Sequence, residues 1–245
     1  MLTSITNYEV TWEKLPDDFV LDDDPVNNIN QPSLAAALTE SLELAGKIPA
    51  NALTTTNYGI CATVNQKIVV KAPDWAYVPA IQVPREEVKR SYTPQLQGEI
   101  PVIVMEFLSD TEGGEDSIKP TYPPGKWFFY EQVLRVPHYV IFKPDTGEIE
   151  VYQPDDGRYQ IRTPDENNRY WIAQMGLFLG VWQGTRENRT GYWLRWWDEN
   201  GQLLLWGVEK TERLAAQLRA AGIEPEVWIR EIPPTPLKKG GYKSW

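Results

Sequence analysis

Residues 101–108, PVIVMEFL, constrain this chain more than any other stretch. Successive residues of a strand point to opposite faces of a sheet. Here both faces are apolar, the pattern of a strand covered on each side. The expected fold is therefore α/β or α+β, with a mixed central β-sheet flanked by helices. Glu106 alone breaks the run. Burying a carboxylate there is costly unless a cation or hydrogen-bond donors meet it, so the stretch that predicts a central strand also marks a candidate functional acid.

The segments around it support the same layered arrangement. Residues 33–45, SLAAALTESLELA, set Leu34, Leu38, Leu42 and Ala45 at helical spacing, with Ser33 as the expected N-cap and Gly46 as the stop. Two β-branched runs, 54–64 and 67–71, meet at Asn65-Gln66 and predict a hairpin. Asp74 follows the hairpin and opens a short strand at 75–78. Beyond 101–108, an acidic loop at 109–117 leads through Pro123-Pro124-Gly125 to a helix over 126–134. Strands are expected at 138–143, 148–153, 158–162, 177–183, 191–197 and 202–205, the last two joined by DENG, giving a C-terminal antiparallel β extension. A helix over 208–221, stopped by Gly222, and a basic tail, KKGGYKSW, close the chain. The domain organisation expected is an irregular acidic lead-in over 1–30 with a short strand near 8–12, one domain over 31–207, and a C-terminal helix and tail over 208–245.

Composition narrows the chemistry. A single cysteine, Cys61, and a single histidine, His138, exclude an internal disulfide framework and a cysteine-cluster zinc site. Both are expected to be packing residues, and a Ser-His-Asp mechanism would need His138 to face a nucleophile. Any chemistry is expected to run on carboxylates, lysine or tyrosine, or on nothing. The formal charge of −10 argues against broad adhesion to nucleic acid but is compatible with a local basic groove. Eleven tryptophans, most after residue 170, point to a large aromatic core or an interface. No apolar run approaches the roughly 18 residues of a membrane span, and the N-terminus lacks the basic and apolar regions of a secretory signal. A cytoplasmic protein is expected.

Asp74, after Pro73, and Glu106 both leave apolar strands, and Lys126 follows on the expected helix with Tyr130 one turn further along the same face. Hard cations take oxygen ligands and keep several waters, so two carboxylates suffice to hold Mg²⁺ or Mn²⁺. Plainer readings stand beside this one. Asp74 fits a turn, Lys126 a solvated helix start and Tyr130 a core, while Lys119 is a rival lysine.

Taken in order, Pro73-Asp74, Glu106-Phe107-Leu108-Ser109, Lys126 with Tyr130, and Val136-Pro137-His138-Tyr139 resemble the motifs of the Uma-two family. That family, of unknown function and abundant in cyanobacteria, belongs to the PD-(D/E)XK restriction-endonuclease-like superfamily. The resemblance covers roughly residues 25–155 and implies Mg²⁺-dependent (or Mn²⁺-dependent) hydrolysis of DNA phosphodiesters. Asp74, Glu106 and the backbone carbonyl of Phe107 would hold the metal, and Lys126 and Tyr130 would complete the catalytic set. DNA and a second copy of the chain are the expected partners, with no membrane.

Two features depart from the family pattern. The superfamily lysine usually lies two residues after the glutamate, where this chain has Leu108, so the role passes to Lys126. Many members begin the first helix with His-Gln, where this chain has Asn30-Gln31. That helix should also supply a supporting carboxylate, and Glu40 is preferred to Glu43 because it borders the Leu38–Leu42 stripe. Two other functions fit the residues: a catalytically silent interaction or regulatory protein, and a glycan-binding β-rich protein using tryptophans as a platform. Trp193 and Trp197 would share one strand face and Trp196 the other, with a core or interface role favoured.

Overall fold

The computed structural model describes residues 8–16, 29–108 and 124–225. These fall into two units, the first ending at Gly207 and the second starting at Val208. In chain order the first unit contains β1 (Val10–Thr11), α1 (Gln31–Leu44), β2 (Leu53–Thr55), β3 (Ile60–Val64), β4 (Lys67–Lys71), β5 (Trp75–Val78) and β6 (Ile103–Phe107). Then come α2 (Lys126–Phe128), continued as a π-helix over Phe129–Leu134, and β7 (His138–Lys143), β8 (Glu148–Asp155), β9 (Arg158–Ile161), β10 (Arg169–Ile172), β11 (Leu177–Arg186) and β12 (Arg189–Trp197). The expected loop at 109–117, with Ser109, the rival Lys119 and the basic tail, lies outside the described residues.

A six-stranded mixed sheet in the order β2-β5-β6-β7-β8-β9 forms the centre. Its one parallel pair is β6 and β7, with Glu106 opposite Ile141. A parallel pair needs a long crossover connection, and α2 lies on it. As the apolar run predicts, β6 is buried on both faces. Ile103, Met105 and Phe107 join α1, Trp75, Val140 and the inner face of β11 and β12 in one core. Val104 and Leu108 join Ala76, Val78, Tyr139, Ile141 and the residues after Lys126 in a second. Glu106 has the parity of Val104, which directs it toward α2.

Helix α1 covers the first face with Leu34, Leu38 and Leu42, all but inaccessible. Full burial of each contributes about 2 kcal/mol. The helix starts two residues before the expected N-cap. Asn30 precedes it without a side-chain cap bond, and Pro32, whose fixed φ suits a first turn, falls inside it. Ser33 instead turns its hydroxyl to Glu187, 3.3 Å away.

The run at 54–64 is not one strand. Asn57 takes a positive φ of 45° between β2 and β3, and the two pieces enter different sheets: β2 pairs with β5, and β3 with β1 and β4. The β3–β4 hairpin turns at Asn65 and Gln66, both left-handed (φ 47° and 62°), as a two-residue turn of right-handed strands requires.

The third sheet, β10-β11-β12, is antiparallel and includes β10, which the sequence pattern did not indicate. Residues 202–205 do not form the expected strand. They make only a single bridge, Trp197 to Leu203, and fold back over buried Arg195. That guanidinium donates to the Leu204 carbonyl (3.1 Å) and lies 3.4 Å from the Trp206 ring centroid and 5.2 Å from that of Trp182. Stacked rings offset the desolvation of this buried guanidinium. Trp193 and Trp196 are fully buried and Trp197 nearly so, so these three rings are core and not an open stacking platform.

In the second unit the described residues form α3, whose helical span is Gly207–Ala220. Gly222 ends it at φ 75°, with the Ile223 amide bonded to the Leu218 carbonyl. Among the described residues, no helix is long and apolar enough to cross a membrane.

Candidate active site

The antiparallel pairing of β5 and β6 sets Trp75 opposite Met105, which brings Asp74 level with the end of β6. Its Oδ2 accepts the Phe107 amide at 2.6 Å. The hydrogen bond anchors one carboxylate at the C-terminal end of the parallel pair. Gln31, in the first turn of α1, reaches the same point from the other layer. Its Nε2 donates to Asp74 Oδ2 and to the Phe107 carbonyl, at 3.3 Å each.

One residue before Phe107, with its side chain on the sheet face opposite that of Phe107, Glu106 is fully buried. Lys126 Nζ meets its Oε2 at 3.0 Å, and the Tyr130 hydroxyl donates to its Oε1 at 3.0 Å. Lys126 opens α2 and Tyr130 sits where that helix widens into its π-helical segment. Both side chains therefore reach one carboxylate from one turn. π-Helical segments are frequent at functional sites. This one ends at Arg135, which is left-handed at φ 57° and whose following residue, Val136, returns its amide to the Tyr130 carbonyl. Buried Glu131 ties the segment to β9, accepting the Tyr159 amide at 2.6 Å and Arg158 at 3.1 Å.

The structure thus groups Asp74 with the Phe107 carbonyl, and Glu106 with Lys126 and Tyr130, on adjacent residues of one strand end. Glu40 is held elsewhere. It lies nine residues beyond Gln31, about 14 Å further along the helix axis, where Oε2 pairs with Arg186 at 2.6 Å and Oε1 accepts the Gly207 amide at 3.0 Å. The first-helix side chain that reaches Asp74 and Phe107 is Gln31, next to Asn30. The available signal was its position: a polar side chain in the first turn of a helix whose later turns are buried by leucines.

The residues suit a hard cation. Asp74, Glu106 and the Phe107 carbonyl supply oxygens only, and the Asp74 and Phe107 oxygens already converge on one polar hydrogen donor, the position a cation would take. Among the described residues no group of three or more His, Cys, Asp or Glu side chains is placed to hold a metal ion, and the oxygens here are two carboxylates and one backbone carbonyl. His138 is far from a ligand role: it is buried, with Nδ1 3.0 Å from the Val102 carbonyl. Burial holds its imidazole below the usual value, with the Val102 contact opposing that shift. Cys61 is likewise buried, and burial pushes its thiol up.

A mixed sheet flanked by helices, extended by an antiparallel layer and carrying acids at the end of its parallel pair, is a restriction-endonuclease-like fold. Residues 34–186 match the Uma2 family, described as "Putative restriction endonuclease". The match takes in more than half of the chain, and the protein belongs to that family. No curated protein matches it. Proteins of the restriction-endonuclease-like class generally work with a divalent metal ion, and a restriction endonuclease binds DNA.

Proposed function

We infer that the protein is a Mg²⁺-dependent (or Mn²⁺-dependent) endodeoxyribonuclease that hydrolyses phosphodiester bonds. The observation that supports this reading is that Asp74, bonded to Phe107, and Glu106, bonded to Lys126, meet at adjacent residues of one strand end of a nuclease-family fold. Asp74, Glu106 and Phe107 would hold the ion, which when bound lowers the pKa of water and neutralises charge on the phosphoryl oxygens.

The chain's own groups account for the rest. Lys126 is charged and hydrogen-bonded to Glu106, so it serves as a donor and not as a base: its ammonium orients water and offsets the negative charge that grows on the phosphorus oxygens. Tyr130 fixes the Glu106 carboxylate in one rotamer by holding the second oxygen. In the reaction the water oxygen bonds to phosphorus as the bond to the leaving deoxyribose oxygen breaks; the attacking water gives a proton to solvent, and the leaving oxygen takes one from solvent. Gln31 stands beside these groups and Glu40 takes no part. Among the described residues one chain carries one such set, so cutting both strands in a single binding event would use two copies, and a homodimer belongs to the proposal.

Mg²⁺-dependent nicking of supercoiled plasmid, lost in both Asp74→Ala and Lys126→Ala, is the expected result. Intact folding with no calorimetric binding of Mg²⁺ or Mn²⁺ at millimolar concentration would overturn it, and would leave a silent interaction protein on a nuclease fold.

A further inference from the structure

Gln31 touches two of the oxygens assigned to the cation. Its NH₂ group donates both to Asp74 Oδ2 and to the Phe107 carbonyl, at 3.3 Å each. Asp74 Oδ2 is simultaneously bonded to the Phe107 amide at 2.6 Å. An amide NH₂ carries partial positive charge on two hydrogens, so it draws two negative oxygens toward a common point. A divalent cation does the same more strongly.

The terminal torsion of glutamine is broad and two-fold. A half-turn about it exchanges NH₂ for Oε1 with almost no change of shape, turning a donor to two oxygens into a ligand of the same oxygen chemistry. Pro32, next in sequence, sits in the first helical turn, and its locked ring steadies the backbone from which the side chain projects.

We propose that Gln31 is a reversible stand-in for the cation, bridging Asp74 and Phe107 through NH₂ in the metal-free protein and rotating to present Oε1 to the ion when it binds. This rests on the metal reading above. The amide prevents the two oxygens from drifting apart before the ion arrives. Its neutral oxygen then completes the ligand set without a third negative charge, which would repel a phosphodiester. A glutamate there would bind metal more tightly and hold the empty site less well, because its carboxylate would face that of Asp74.

Full-length wild type, Gln31→Glu, Gln31→Met and Asp74→Ala are titrated with Mn²⁺ and with Mg²⁺ by calorimetry, and their melting temperatures are measured with and without metal. Ligand charge count tunes affinity at oxygen sites, so Gln31→Glu is expected to bind about tenfold tighter. It should also melt below wild type without metal and show a larger metal-induced rise. Gln31→Met fills the same space without an oxygen and is expected to bind about fivefold or more weakly.

Wild-type affinity in either Gln31 variant overturns the proposal. If Gln31→Glu fails to fold, Gln31→Met decides alone. Loss of binding in Asp74→Ala alongside unchanged Gln31 variants sinks this inference and leaves the nuclease reading standing. Absence of binding by wild type sinks both.

Discussion

Replacing Glu106 by glutamine separates a catalytic acid from a structural ion pair. The Glu106 side chain is 1% exposed and its partner Lys126 is 23% exposed, with 3.0 Å between the charged atoms. At an effective dielectric near 20 their attraction is about 5 kcal/mol, and burying the carboxylate costs a similar several kcal/mol, so the net contribution is close to zero. Glutamine keeps one oxygen for Lys126 and can donate its NH₂ to the Tyr130 oxygen, which accepts as well as donates. Glu106→Gln should therefore change metal-free stability by less than about 1.5 kcal/mol in either direction.

Lys126→Met leaves a buried charge held by Tyr130 without its ammonium. It should cost about 3 kcal/mol, the low end for breaking a buried pair, because the lysine head reaches solvent. Metal should then reorder the variants. With Mg²⁺ at about ten times its dissociation constant, wild type gains about 1.4 kcal/mol by mass action, whereas Glu106→Gln should gain almost nothing. Urea denaturation followed by tryptophan fluorescence, with and without Mg²⁺, measures all three. Loss of more than about 3 kcal/mol in metal-free Glu106→Gln would mean that the carboxylate is retained for structure. An equal Mg²⁺ response in wild type and Glu106→Gln would place the ion elsewhere.

His138 should give a pH slope. Its folded pKa is depressed by burial, so its contribution is complete above the unfolded value near 6.5 and is lost as pH falls through that value toward the folded one, by at most about 1.4 kcal/mol per pH unit. Denaturation midpoints between about pH 7.5 and 5.5 should fall in wild type and stay flatter in His138→Gln; equal slopes would remove His138 as the source. Glu40→Gln weakens the Arg186 pair, in which the arginine side chain is 11% exposed, and should lower stability by about 1–2 kcal/mol while metal affinity is unchanged. A loss of metal binding in that variant would return Glu40 to the site. Gly98→Ala puts a Cβ 2.5 Å from the Ala80 carbonyl oxygen at a φ of 156°, so a drop of about 2 kcal/mol or more is expected in thermal melts; a wild-type melting temperature would show that the backbone can shift.

The legible parts of this fold were those set by local pattern. Leucines at helical spacing gave α1, and an apolar run on both parities gave β6. Left-handed turn residues were placed at Asn65-Gln66 and after α3 at Gly222. Each is a property of a few consecutive residues. The run at 54–64 was misread because nothing local to it records that its halves join different sheets. Residues 202–205 were misread for a related reason: their place is taken up by covering Arg195 among Trp182 and Trp206, residues distant in sequence from one another.

The sequence by itself determined the chemical inventory. Without cysteine pairs or a second histidine, carboxylates, lysine and tyrosine were what a site could be made from, and Asp74, Glu106, Lys126 and Tyr130 were named from residue type and order. The tertiary structure decided how they meet. Strand parity turned Glu106 toward α2 and away from α1. The packing of α1 over the other face brought its first turn to the strand end, so that Gln31 reaches Asp74 and Phe107 while Glu40, two and a half turns on, pairs with Arg186. Periodicity specifies which face of a helix is buried, but where along its length that helix passes the site depends on contacts between residues far apart in the chain.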